Sequence, residues 1–232
     1  IPPEGFTHEV MGMALYADAF KTVYPNRRLF IMSNIDGITN GVSIEPSNIA
    51  AHRYAVQWTG DTKGGQEVII QEIINTVERG ETGALPYIST DLGAHQTLSK
   101  YITNNEYIRW IQMGAISPIF RPHVMLNDTG RMPWLRGEAV TDIYREYINL
   151  RYRLLPVFYQ LANENYETGL PITRAMNFYA PGYKEADRYD QYMLGDYILV
   201  APVFENTMVE AVPADWLSYN GKPGVKVEYF NN

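Results

Sequence analysis

The sequence predicts an α/β fold followed by a small β-domain, on two observations. From His8 to Phe120, short apolar runs of strand length alternate with stretches of helical periodicity. Beyond Gly169, helical patterning gives way to short β-like runs broken by Pro, Gly and Asn. At 232 residues, with 46% hydrophobic and 13% aromatic content, the chain is long enough for one large domain or for one domain plus a small one. The division is expected near residue 168, giving an α/β part over 1–168 and a β-rich part over 169–232.

Each element has its own signal. A helical stretch over His8 to Thr22 precedes the apolar run Leu29 to Met32, and a Gly/Asn-rich loop follows from Asn34 to Ser43. A second strand, Tyr54 to Trp58, runs into the turn Thr59 to Gly65. After it, Val68, Ile69, Ile73, Ile74 and Val77 recur at helical spacing, and Arg79-Gly80 reads as the helix C-terminus. A third strand over Ala84 to Ser89 leads into Thr90-Asp91-Leu92-Gly93, a helix near Asn105 to Met113 and a fourth strand-like run, Ser117 to Phe120. The longest helix spans Ala139 to Glu164, because Ile143, Tyr147, Leu150, Leu154, Val157 and Leu161 make one apolar stripe, and Pro156 is expected to kink or divide it. Strands are expected over Ile172 to Phe178, Tyr197 to Phe204, Met208 to Val212 and Val225 to Phe230.

Alternating strands and helices imply a parallel sheet with crossovers, in which ligands bind at the loops that follow strand C-termini. Four strands do not close a barrel, so the pattern fits either an open sheet or half of a barrel whose remainder lies upstream. The chain begins Ile-Pro-Pro-Glu, with a first segment that reads as a loop and helix already under way, and is expected to be a piece of a longer protein.

Composition excludes several classes. A formal net charge of −7 with scattered acids and bases lacks the basic footprint of a nucleic-acid partner. No apolar run reaches membrane-spanning length, so no membrane association is expected. The absence of cysteine removes disulfides and thiolate chemistry but leaves the compartment open. His8, His52, His95 and His123 stand on different elements with no metal-ligand spacing, so neither a metal nor a cofactor is expected. Neither GxSxG, a P-loop nor GxGxxG occurs.

Three polar clusters follow predicted strands: Trp58-Thr59-Gly60-Asp61, Thr90-Asp91-Leu92-Gly93 and Arg121-Pro122-His123. In a parallel sheet all three face one rim. Two carboxylates beside an aromatic suit glycoside hydrolysis, where one acid is held protonated for the leaving group while another stays ionised near the oxocarbenium-like centre. The plainer uses of the same residues are a helix cap for Asp61, an Asx-turn for Asp91 and a hydrogen-bonded loop histidine for His123.

At these clusters the sequence resembles glycoside hydrolase family 31, over about Arg53 to Val203. Arg53-Tyr54-Ala55-Val56-Gln57-Trp58-Thr59-Gly60-Asp61 is similar to the family's RYxxxWxGD segment, whose aspartate is the general acid/base. Leu85 to Gly93 resembles the strand and loop whose aspartate supports the sugar subsite. Tyr107 to Ala115 with Pro118 to His123 resembles the segment whose histidine binds the sugar. Arg131-Met132-Pro133-Trp134, Leu150 to Pro156 and Asp190 to Val203 complete the likeness in the family's order.

The resemblance implies the C-terminal half of a (β/α)8 TIM barrel followed by a β-sandwich-like domain, no cofactor, and an oligosaccharide or glycoside substrate. It implies Asp61 as general acid/base, with Trp58, Asp91 and His123 on the substrate. The nucleophile is expected upstream, making the other half of the same catalytic domain an obligatory partner. Counting back from Arg53-Tyr54, Glu45 stands where the family carries a sugar-contacting arginine, and is taken as a substrate-side residue of altered sign. The family's I-G-G-F becomes Leu92-Gly93-Ala94-His95. These departures keep three alternatives to hydrolysis open: glycosyl transfer, elimination by a lyase, and a non-catalytic carbohydrate-binding homologue.

Overall fold

The computed structural model describes residues 8–34, 38–39, 42–43, 51–54, 56–125, 128–182, 186, 191–202, 218–219 and 222–223. Helix α1 (His8–Val23) leads to β1 (Met32–Ser33), and a short antiparallel pair, β2 (Ile38–Thr39) with β3 (Val42–Ser43), follows. Then come β4 (Val56–Trp58), α2 (Gln66–Gly83), β5 (Tyr87–Ser89), α3 (Asn104–Ala115) and the long α4 (Glu138–Thr168). The chain continues through β6 (Thr173–Ala175), β7 (Tyr192–Leu194), β8 (Ile198–Val200), β9 (Ser218–Tyr219) and β10 (Lys222–Pro223).

Strands β1, β4 and β5 form a parallel sheet in that order, with Met32 opposite Val56 and Val56 opposite Tyr87. Crossover helix α2 connects β4 to β5, as a parallel pair requires. Its Ile69, Ile73 and Val77 are buried with Tyr107, Trp110 and Ile111 of α3 and Phe158 and Leu161 of α4 in the main core. A second cluster, Val10, Ala17, Tyr54, Leu85 and Ile88, joins α1 to the sheet. Downstream, β6, β7 and β8 make an antiparallel three-stranded sheet, and β9 pairs with β10. Among the described residues, no helix is long and apolar enough to cross a membrane.

Two sequence expectations are corrected, and a third is narrowed. Helix α2 does not stop at Gly80 but runs to Gly83, with Ala84 left-handed at φ 51°. Gly80 instead permits close approach, since a Cβ there would meet Pro171 Cβ and the Thr173 carbonyl, each at 3.3 Å. The run Ser117 to Phe120 is not a strand; its neighbourhood forms a single parallel bridge, Leu92 to Pro122. Pro118 and Pro122 have no N–H for a ladder, and Arg151 of α4 takes the carbonyls of Ser117 (2.7 Å) and Pro118 (3.0 Å). Of the two outcomes expected at Pro156, division does not occur: α4 runs unbroken through it, and Pro156 lies on the exposed side, where the carbonyl deprived of a partner can turn to water.

The short β7 lies in the segment Asp190 to Asp196, read as a motif rather than a strand, and a left-handed Gly195 (φ 58°) turns it toward β8. The expected strands Met208 to Val212 and Val225 to Phe230, and Glu45, lie outside the described residues.

Candidate active site

The rim at the C-terminal ends of β4 and β5 is where Asp61 and Asp91 meet. Strand β4 ends at Trp58, and the Thr59 N–H continues the pairing by donating to the Ser89 carbonyl at 3.1 Å. Beyond it, Gly60 turns the chain at φ 81°, which delivers Asp61 to the rim. The loop is then tied down: Gly64 N donates to Thr97 Oγ1 and Gly65 N to Glu106 Oε1 of α3, each at 2.8 Å. Helix α2 starts after Gly65 with no side-chain cap, so Asp61 does not serve as its cap.

Asp91 stands two residues past the end of β5 and is fully buried. Its Oδ1 receives Trp58 Nε1–H at 2.9 Å and the Arg121 guanidinium at 2.5 Å, with His123 Nδ1 at 3.2 Å. The Asp91 carbonyl accepts from Thr62 Oγ1 (3.1 Å) and, within its own loop, from the Ala94 N–H (3.0 Å). Arg121 also donates to Ser89 Oγ at 3.1 Å and lies over the Trp58 ring at 5.8 Å from its centroid. Asp91 thus holds together three side chains from two segments, the end of β4 and the stretch 121–123, rather than closing an Asx-turn.

His123 is positioned by a backbone exchange across the rim: Leu92 N donates to the Arg121 carbonyl and His123 N to the Leu92 carbonyl, each at 3.3 Å. Its ring stacks on His95 at 4.7 Å between centroids and 16° between planes. His95 Nδ1 lies 3.4 Å from Asp61 Oδ1. Arg131 fixes the loop that carries His95, donating to the carbonyls of Ala94 and Thr97. A Cβ at Gly93 (φ 91°) would meet that arginine at 2.8 Å.

Of the five residues expected from sequence, Trp58, Asp61, Asp91 and His123 converge here, and Glu45 lies outside the described residues. Two further members, Arg121 and His95, stand in stretches singled out from the sequence but were given no site role there. Arg121 carries a readable signal, two residues before His123 in an extended segment. His95 carries none, since its place beside Asp61 comes from loop folding. One atom each of Asp61, Asp91 and His95 lies within 4.8 Å of the others, a grouping that histidine spacing did not anticipate. The Arg121 guanidinium already neutralises Asp91, so the donor set suits hydrogen bonding to a polar ligand better than holding a cation.

The two carboxyls therefore differ. The Asp61 side chain is 38% exposed beside an imidazole, whereas Asp91 is enclosed and ion-paired. Buried behind them, Glu72 of α2 is pushed up from 4.5 to about 8, first by loss of solvent and also by the charge of Asp91.

The family model described as the glycosyl hydrolases family 31 TIM-barrel domain matches residues 42–161, and that for the family 31 C-terminal domain matches residues 169–229. The chain is 32% identical over 174 residues to alpha-glucosidase 2 of Bacillus thermoamyloliquefaciens, covering 72% of this chain and 21% of that protein. It is 35% identical over 159 residues to neutral alpha-glucosidase C of Homo sapiens, covering 67% of this chain and 17% of that protein. This chain thus spans about a fifth of the length of such relatives.

A family 31 dextranase of Flavobacterium johnsoniae complexed with isomaltotriose superposes with a TM-score of 0.69 at 29% identity, covering 87% of this chain and 25% of that one. A cycloalternan-forming enzyme from Listeria monocytogenes, in complex with a pentasaccharide substrate, shares the fold at a TM-score of 0.71 and 23% identity, over 85% of this chain and 18% of that one. The architecture is accordingly TIM-barrel followed by a C-terminal β domain, and the open-sheet alternative falls away.

Proposed function

This chain belongs to glycoside hydrolase family 31, and on that premise we propose that the protein carrying it is a retaining α-glycosidase with Asp61 as its general acid/base. The observation that carries the reading is the contrast between two carboxyls on one rim, Asp61 partly open and Asp91 buried under Arg121 and Trp58. Asp91 is a poor nucleophile, because Oδ1 is already engaged and the group has no exposed surface. Its part is to hold Trp58, Arg121 and His123 in place and support the sugar subsite they line.

In the reaction, an aspartate from a part of the catalytic domain outside residues 1–232 attacks the anomeric carbon as the glycosidic C–O bond breaks. Protonated Asp61 gives its proton to the departing oxygen. A glycosyl ester results. Asp61, now a carboxylate, takes a proton from water as the water oxygen attacks the same carbon and releases the aspartate, retaining configuration. The substrate is an α-linked oligosaccharide or glycoside, in keeping with relatives named alpha-glucosidases and with a dextranase structure complexed with isomaltotriose.

The test is turnover of α-linked disaccharides and aryl α-glycosides by the intact protein and its Asp61→Ala variant. The expected result is wild-type release of sugar in the α configuration and a loss of about 10²–10⁴-fold in the variant. The loss should be larger for disaccharides than for aryl glycosides, whose leaving groups need less protonation. An inverted product, an unsaturated sugar or a fully active Asp61→Ala variant would sink the proposal.

A further inference from the structure

The site has a buried acidic group behind it that the reaction does not use. Glu72 stands on the inner face of α2, fully buried, where that helix packs on β5. Its carboxyl faces the side chains of Thr59, Thr90 and Asn75. Thr59 is the residue between β4 and the Gly60-Asp61 turn, and Thr90 is the residue between β5 and Asp91. Both threonines are buried, and neither hydroxyl nor either Glu72 carboxyl oxygen has an aligned hydrogen-bond partner, so four buried polar atoms are left to one another.

A buried carboxyl is costly where an apolar side chain of similar volume would fill the same space, so its presence at this point calls for a use beyond packing. We propose that Glu72 is a positioning residue for the rim: its carboxyl, reaching in from α2, joins the hydroxyls of Thr59 and Thr90 and so fixes the spacing between the backbone that carries Asp61 and the backbone that carries Asp91. The role rests on the glycosidase reading, since it concerns the geometry of those two groups.

The charge environment gives the device a pH dependence. Asp91 acts on Glu72 from the end of β5. On the other elements packed against α2, Arg174 of β6 is turned to Glu164 and Asp196, Tyr107 of α3 donates to the Arg131 carbonyl, and Glu106 of α3 accepts from Gly65. Arg79, two turns further along α2, is the buried cation of the helix itself. Losing its proton at about pH 8, Glu72 becomes a second carboxylate near Asp91; it draws the Thr59 and Thr90 hydroxyls toward itself while repelling Asp91, so the two strand ends are no longer held at the spacing set by the neutral acid. Ionisation therefore loosens the rim.

The experiment compares the intact protein with Glu72→Met, an apolar residue of similar length, and Glu72→Gln, a neutral near-isostere. Steady-state rates on an α-glycoside are followed across pH, beside the infrared carbonyl band of protonated carboxylic acid. Expected are a fall of about 10-fold or more in kcat for Glu72→Met with a smaller change in KM, and recovery in Glu72→Gln to within about 3-fold of wild type. The wild-type loss of kcat on passing about pH 8 should be absent from Glu72→Gln. At neutral pH the wild type should show a protonated-acid band that Glu72→Gln lacks. A Glu72→Met variant matching wild type in kcat and pH profile, or the absence of that band, overturns the role of Glu72. A wild type inert toward every α-glycoside, with the band present, overturns the glycosidase reading instead.

Discussion

Asp61 and Asp91 carry the same functional group, yet the fold treats them in opposite ways, and their substitutions should differ accordingly. Asp91→Asn keeps the size but removes the charge that holds Arg121 and the Trp58 N–H. A charged hydrogen bond of this kind contributes about 1.5–3 kcal/mol, so kcat/KM should fall by about 10–100-fold, as steady-state kinetics on the intact protein would measure. His95 sits between the groups, stacked on His123 and near Asp61. His95→Phe preserves the stack but removes the nitrogen beside Asp61, and should lower kcat more than it raises KM. His95→Ala loses both contacts and should alter the two constants together. At this scale the sequence was readable where a side chain stands at a strand end or within three residues of it, as Trp58, Asp61 and Asp91 do. It was unreadable for His95, whose neighbours are set by a left-handed Gly93 and Ala94 and by Arg131 gripping the loop carbonyls.

Helices and strands set the positions of those side chains through close contacts that tolerate little change. Gly114 near the end of α3 leaves no room for a Cβ, which would overlap Leu92 Cδ1 and come within 2.9 Å of the Phe120 ring. Leu92 and Phe120 flank Asp91 and Arg121, so Gly114→Ala should both destabilise, by about 1–3 kcal/mol, and weaken turnover. Differential scanning calorimetry would read the first effect. Arg151 of α4 collects the carbonyls of Gly114, Ala115, Ser117 and Pro118, which lie at and beyond the end of α3. Arg151→Met leaves these acceptors unmet and should cost about 2 kcal/mol in denaturant unfolding. The stretch Leu150 to Pro156 stands out in the sequence as a motif, but the acceptors that Arg151 reaches lie more than thirty residues away and follow only from the packing of α4 on α3. The reading of Ser117 to Phe120 as a strand rested on Ile119 and Phe120 and gave too little weight to the prolines.

Among the described residues, the β part is bound to the α/β part by a shared core, in which Tyr192, Leu194 and Val200 join α2, α3 and α4, and by polar contacts. Arg174 of β6, itself nearly inaccessible, pairs with Glu164 of α4 at 2.7 Å and with Asp196 after β7. Thr173 donates to the Thr76 carbonyl of α2 at 3.3 Å. The proposed division near residue 168 is therefore a change of element type across a packed contact rather than a gap. Glu72 adds a global pH dependence. Its folded value, raised from 4.5 to about 8, means that the folded state holds the proton more tightly than the unfolded chain. Its contribution is complete below 4.5, declines as pH rises and is lost beyond about 8. The slope in that window reaches about 1.4 kcal/mol per pH unit. Thermal unfolding of wild type against Glu72→Gln across pH should show this slope in the wild type and a flatter curve in the variant.

Sequence alone determined the alternation of strand and helix, the β character past Gly169 and the identity of four rim residues, because periodicity and strand-end motifs are local properties of the chain. Tertiary structure alone decided that Gly80 meets β6 instead of ending α2, that His95 reaches Asp61, and that Glu72 lies beneath both strand ends. Each of these depends on which distant segment packs alongside, and burial, close approach and electrostatic coupling are properties of the pair, not of either stretch of sequence.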